Sequence, residues 1–121
     1  MNKPIFKDIA ISFSNHVIKV CHELEFRKLR AISNQLIRSG TSVGAMVAEA
    51  SEAESADDFI HKMKIAAKEA KESKYWLEIA ASKVVVPPEV FEELTSMQKI
   101  IVKSIQTATK NRDEKKARHR K

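Results

Sequence analysis

Turn-forming residues are nearly absent from this sequence. Its 121 residues include two glycines and three prolines, too few for the many tight turns of a β-rich fold. Cysteine occurs once, at Cys21. No disulfide can therefore form within the chain, and the thiol is expected to be a small buried hydrophobe in a reducing compartment. No apolar run approaches the ~18–20 residues needed to cross a bilayer, and no signal-peptide pattern is visible. These features predict a cytoplasmic protein with no membrane contact. Chemistry is sparse too. The Cys pairs of a zinc site and the glycine loop of a phosphate site are missing. A di-iron bundle needs two Glu-x-x-His units, and the chain offers only the near miss Asp58-x-x-His61. Ser39, Thr41 and Ser42 lack an activating base in the sequence around them and are expected to bond backbone carbonyls in a helix. No catalytic residue, metal ligand or cofactor is assigned, and the chain reads as non-enzymatic.

What is present is helical periodicity. Ile5, Ile9, Phe13, Val17, Val20 and Leu24 follow one helix face, with Pro4 suited to the first turn. Ile11 and Ile18 lie on a second face. The boundary after this helix is poorly marked, with a connection expected around His22–Phe26. A second helix is expected from about Arg27 to Glu52, carried by Leu29, Ile32, Leu36, Val43, Val47 and Ala50. The rival reading breaks it at Gly40, with Ser42 capping a new helix. The phase of the apolar residues runs across Gly40, which favours one continuous helix.

The acidic run Glu49, Glu52, Glu54, Asp57, Asp58 precedes a third helix over Ala56–Ser82, and Ser55 with Asp58 fits a helix-start signature. Phe59, Met63, Ala66, Ala70, Ser73, Leu77 and Ala80 form its apolar face. Lys62, Lys64, Lys68, Lys71 and Lys74 form the opposite one, relieved only by Glu69 and Glu72. Pro87 and Pro88 end the third helix and start a fourth, in which Phe91, Leu94, Met97, Ile101, Ile105 and Ala108 keep the period to about Thr109. Four amphipathic helices with short connections predict an all-α fold, an antiparallel up-down-up-down four-helix bundle over residues 1–109.

Charge is uneven. The formal net charge is +6, yet residues 1–109 carry fifteen basic and fourteen acidic residues, whereas residues 110–121 carry seven and two. The basicity thus belongs to a tail, expected to be disordered or only transiently helical.

Both glycines fall in Gln35-Leu36-Ile37-Arg38-Ser39-Gly40-Thr41-Ser42-Val43-Gly44-Ala45, each costing about 1 kcal/mol relative to Ala within a helix. Gly40, Gly44 and Ala48 share one narrow strip, and together with Gln35 they are expected to serve helix packing or oligomer contacts. This segment, with Glu49-Ala50, Asp58-Phe59-Ile60-His61-Lys62, Lys68-Glu69-Ala70 and Tyr75-Trp76-Leu77, resembles the bacterial family of four-helix bundles related to the 23S ribosomal RNA intervening-sequence protein. The resemblance covers residues 5–109. It implies a ring-shaped homopentamer. It also implies kinship with the accessory protein of diversity-generating retroelements, which binds nucleic acid and a reverse transcriptase. Met46 stands where that pattern usually has Asn, and Ala48 where it often has a basic residue.

The functional expectation is a homo-oligomer that binds RNA or DNA, or a nucleic-acid enzyme such as a reverse transcriptase. Arg38, Lys64, Lys68, Lys71, Lys115, Lys116, Arg118 and Arg120 are the candidate contacts; for Arg38, as for Gln35, a tie from the second helix to a neighbouring helix or subunit is the favoured alternative. Trp76 and Phe59 are assigned to the core, which argues against base stacking. The alternative is an adapter that meets a protein partner through Ile11 and Ile18 or through the acidic start of the third helix.

Overall fold

A computed structural model of the chain describes residues 5–120. The expected role of Pro4 lies outside them. Four helices account for the fold: α1 (Phe6–Phe26), α2 (Arg30–Ala50), α3 (Ala56–Ala81) and α4 (Pro88–His119). Each packs against its neighbour in the chain, and α1 closes the ring against α4, the up-down-up-down arrangement. No strand occurs among the described residues.

The core is a column of apolar side chains contributed by all four helices. Phe13, Val17 and Leu24 of α1 meet Leu36 and Val43 of α2, Met63, Ala66, Ala70 and Leu77 of α3, and Leu94, Met97 and Ile101 of α4. Small residues dominate where α3 enters, so the backbones can approach closely. Cys21 is buried, and desolvation pushes its thiol above the ordinary range. Its Sγ lies 3.5 Å from the Ser33 carbonyl, and Ser33 Oγ donates back to the Cys21 carbonyl at 3.4 Å, so this pair ties α1 to α2.

The α1–α2 boundary is a helix-ending motif without glycine. Lys28 adopts a φ of 63°, its N–H donates to the Glu25 carbonyl, and the Leu29 N–H donates to the Leu24 carbonyl. This is the Schellman pattern, in which the left-handed residue is most often glycine. Here the connection is Arg27–Leu29, a few residues later than the sequence pattern places it. At the next connection Ser55 Oγ accepts from the Asp58 N–H at 3.0 Å, and Asp58 accepts from the Glu54 N–H at 3.2 Å. The α3 start is capped as its sequence predicts.

Gly40 and Gly44 lie inside one unbroken α2, and the reading with a break is not observed. A Cβ on Gly40 would stand 3.0 and 3.1 Å from the two Cγ atoms of Val17, and one on Gly44 would stand 3.0 Å from the Ala10 Cβ. Both glycines therefore let α1 approach. Ala48 departs from this strip's expected role within the subunit. It is exposed, and it lines a groove of about 560 Å³ between α1 and α2 together with Ala10, Ile11, Gly44 and Ala45.

The fourth helix differs most from expectation. It continues ten residues beyond Thr109, to His119, where the sequence pattern ends the ordered body. Two physical causes act together. Residues 110–119 are mostly strong helix formers, and the cations Lys116 and Arg118 sit in the last turn, at the negative end of the helix dipole. The extension is also pinned, because Arg112 Nη1 donates to Asp57 Oδ1 at 2.8 Å.

The Arg112 guanidinium holds the Asp57 carboxyl below its ordinary value of 3.8, helped by the Lys116 charge. A carboxylate depressed by folding stabilises the folded state above its unfolded pKa and loses that contribution as pH falls through the folded value. The tie is thus complete at pH 7 and lost only in acid, below about pH 4. Hydrogen exchange should show the amides of residues 113–119 losing protection there, and Asp57→Asn should give the same loss at neutral pH.

Candidate nucleic-acid interface

The row on α3 is built by helical spacing. Lys64, Lys68 and Lys71 stand at i, i+4 and i+7, one surface stripe, and all three are exposed. At about 1.5 Å per residue the stripe from Lys64 to Lys71 spans about 10 Å. Lys74 continues it toward the α3–α4 connection. Lys62, by contrast, is committed to Asp58 at 3.2 Å.

The two acids that relieve this row on paper point elsewhere. Glu69 and Glu72 face α2, where both pair with Arg38: Nη1 lies 3.3 Å from Glu69 Oε2 and Nη2 lies 2.5 Å from Glu72 Oε1. Gln35 Oε1 accepts from the same guanidinium at 3.3 Å, and the Trp76 indole N–H donates to Glu72 at 3.4 Å. Arg38 is half-exposed, but its two carboxylate partners are only 17% and 32% exposed. Its geometry is that of a strut between α2 and α3, and this separates it from the other candidate cations. The consequence for α3 is electrostatic. Glu69 and Glu72 are neutralised on the α2 side and Glu78 stays exposed, while Lys64, Lys68, Lys71 and Lys74 make no ion pair among the described residues.

A second basic region forms where α4 outruns the bundle. Lys115, Lys116, Arg118 and Arg120 are exposed. Lys115, Lys116 and Arg120 share a shallow recess with Ser55, Asp57, Arg112 and His119 at the start of α3. The structure thus brings these three tail cations to the first turn of α3, and it separates them along the bundle from the middle of the lysine row.

The hydroxyls of Ser39, Thr41 and Ser42 donate to the carbonyls of Gln35, Ile37 and Arg38 at 2.9, 2.6 and 2.7 Å, as expected of small polar residues in a tightly packed helix. One polar cluster is absent from the sequence reading. Glu93 of α4 accepts from Ser12 Oγ of α1, and its other oxygen lies 2.7 Å from His16 Nδ1. The serine donates to the carboxylate, not to the imidazole, so the trio has the form of a clasp between α1 and α4 rather than a nucleophile with its base. Its signal was Ser12 and His16, a polar i, i+4 pair flanking Phe13. No group of three or more metal-ligating side chains occurs among the described residues, and no described helix is long and apolar enough to cross a membrane.

Comparison with known proteins agrees with this architecture. A solved structure of a protein of unknown function from the S23 ribosomal protein family of Bacteroides thetaiotaomicron VPI-5482 superimposes with a TM-score of 0.74 at 34% identity, covering 84% of this chain and 98% of that one. No curated protein matches the chain. The model of the 23S rRNA-intervening sequence protein family matches residues 4–107, which includes the glycine seam, the Arg38 strut and the lysine row. The chain belongs to the 23S rRNA-intervening sequence protein family.

Proposed function

We propose that this protein is a non-enzymatic, homo-oligomeric bundle that binds nucleic acid through its basic surfaces. The observation that carries the reading is the lysine row of α3, which makes no ion pair among the described residues; Arg38 occupies Glu69 and Glu72, and Glu78, exposed four residues after Lys74, leaves the row net positive. The α4 extension supplies a second set of cations. Such contacts neutralise phosphates and release counterions, so affinity should fall steeply with salt and depend weakly on sequence. The same surfaces suit a nucleic-acid enzyme such as a reverse transcriptase that presents bound nucleic acid. The apolar groove between α1 and α2, with Ile11 half-exposed beside it, supports self-association, and the family resemblance suggests five copies.

Binding of a fluorescent duplex and of a single strand, measured from low to physiological salt, tests the reading. A steep linear fall of log K against log salt is expected. Absence of binding to either probe at low salt overturns it. Light scattering gives the subunit number, and a monomeric mass removes the oligomer from the proposal.

The adapter reading draws on the same exposed Ile11 and Ile18. The acidic start of α3 supports it less, because Asp58 serves the helix cap and Asp57 holds Arg112.

A further inference from the structure

Trp76 and Phe59 pack against the core and are not free to stack on a base. Among the described residues two aromatics are exposed: Tyr75, whose ring meets Trp76 edge-on at 5.1 Å, and Phe26. Phe26 is the last residue of α1, and it is 85% exposed. Helical phase explains why: Phe26 follows the buried Leu24 by two residues, about 200° round α1 from the core face, and the chain then reverses through Lys28 so that Leu29 packs on the core. A phenylalanine left this open gains nothing for folding.

Its surroundings are cationic. Arg27, Lys28 and Arg30 follow within four residues, all are exposed, and none makes an ion pair among the described residues. Glu23 and Glu25 precede it on α1, so the segment from Glu23 to Arg30 is net positive by one charge. The up-down order places the α3–α4 connection, with Lys83 and the exposed Val85, at the same end of the bundle. The lysine row of α3 also runs toward this end. Protein-binding anchors usually sit in a surrounding patch that excludes water. An aromatic ring among separated cations suits a different ligand, a base on the ring face with its phosphates held beside it.

We propose that Phe26, flanked by Arg27, Lys28 and Arg30, is a stacking site for an unpaired nucleobase, so that the nucleic acid bound by this protein is single-stranded where it meets this end of the bundle. The site rests on the nucleic-acid reading above and adds to it a ligand class and a location. The interior bases of a duplex present no free face and only its two end pairs do, whereas any unpaired base can offer one.

The test compares a fluorescein-labelled oligothymidine of about a dozen nucleotides with a duplex of equal length, using the full chain. Wild type should bind the single strand more tightly. Phe26→Ala should weaken single-strand binding by about 5- to 100-fold, the usual range for losing one stacked base, and leave duplex binding unchanged. Phe26→Trp should retain binding and show indole fluorescence quenched by the oligonucleotide beyond any change at Trp76. Because Phe26 is outside the core, its variants should keep the wild-type circular dichroism and melting temperature. Equal single-strand binding by wild type and Phe26→Ala overturns the site while the lysine reading stands. Full binding by Phe26→Leu also overturns it, since leucine keeps apolar contact without a ring, the behaviour expected of a protein-docking or lipid-facing residue. Failure of wild type to bind either probe removes the underlying reading and this site with it.

Discussion

Replacing Lys64, Lys68 and Lys71 together with glutamine is expected to weaken nucleic-acid binding by roughly a hundredfold at physiological salt, with little loss of stability. The three ammonium groups are exposed and make no ion pair among the described residues, so folding gains little from them. Each lysine that meets a phosphate contributes about 0.7 to the salt slope for a single strand and about 0.9 for B-form DNA. Removing three should lower the slope by about 2 to 3, and extrapolation from the 1 M standard state to physiological salt gives the hundredfold figure. Arg38→Ala is the informative control. It deletes a cation on the neighbouring helix, but one already held by Glu69 and Glu72. Its expected effect is on stability, about 1 kcal/mol for a pair of partly exposed bridges, and the freed carboxylates would oppose phosphate only secondarily. A triple variant that binds as wild type, or an Arg38 variant that alone abolishes binding without unfolding, would move the interface to α2.

The second large effect concerns the glycine seam. Gly40→Leu should lower stability by about 1–3 kcal/mol through overpacking, or about 5–15 °C in Tm for a domain of this size. Gly40 is the sharper position because it is buried against Val17, which has no exposed surface. Gly44 opens on one side to the α1–α2 groove and meets only the Ala10 methyl, so a side chain there has somewhere to go. Gly40→Ala is a finer probe: alanine recovers about 1 kcal/mol of helix propensity and meets Val17 at a tight 3.0 Å. Adding Val17→Ala to Gly40→Ala should reveal the contact as a non-additive term in a double-mutant cycle. Thermal melts of the four proteins measure it, and strict additivity would show that the two residues do not touch.

Legibility of this fold in its sequence followed the strength of local signals. Ser55 with Asp58 and Pro87 with Pro88 punctuate the chain clearly, and the helices they start begin at Ala56 and Pro88 as expected. The α1–α2 boundary carried no such mark, because Lys28 occupies the left-handed position that glycine would have advertised. The end of α4 was hidden for another reason. Apolar periodicity reports burial, and residues 113–119 are helical without being buried; propensity, terminal charge and one bridge to Asp57 hold them instead. For the candidate interface, helical spacing alone located the lysine stripe. The partner of Arg38 was not legible, since it depends on which face of α3 meets α2, a tertiary fact. The same holds for Glu93, whose bonding partners lie 77 and 81 positions away in the chain. The exposure of Phe26 is hidden in the sequence because the end of α1 carries no mark that fixes it to a residue.

An even number of alternating helices has a geometric consequence. The start of α1 and the end of α4 lie at one end of the bundle, and the Phe26 turn lies at the other. Copies related by a single rotation axis keep equal heights along that axis, so a cyclic ring of this chain, were its bundles to stand along the axis, would be polar. It would gather all of its C-terminal helical extensions at one level and all of its Phe26 turns at another. A strand long enough to touch several copies on one face meets the later contacts at high effective concentration. In such a ring weak individual sites would hold the strand by avidity, and the two faces would offer it different chemistry.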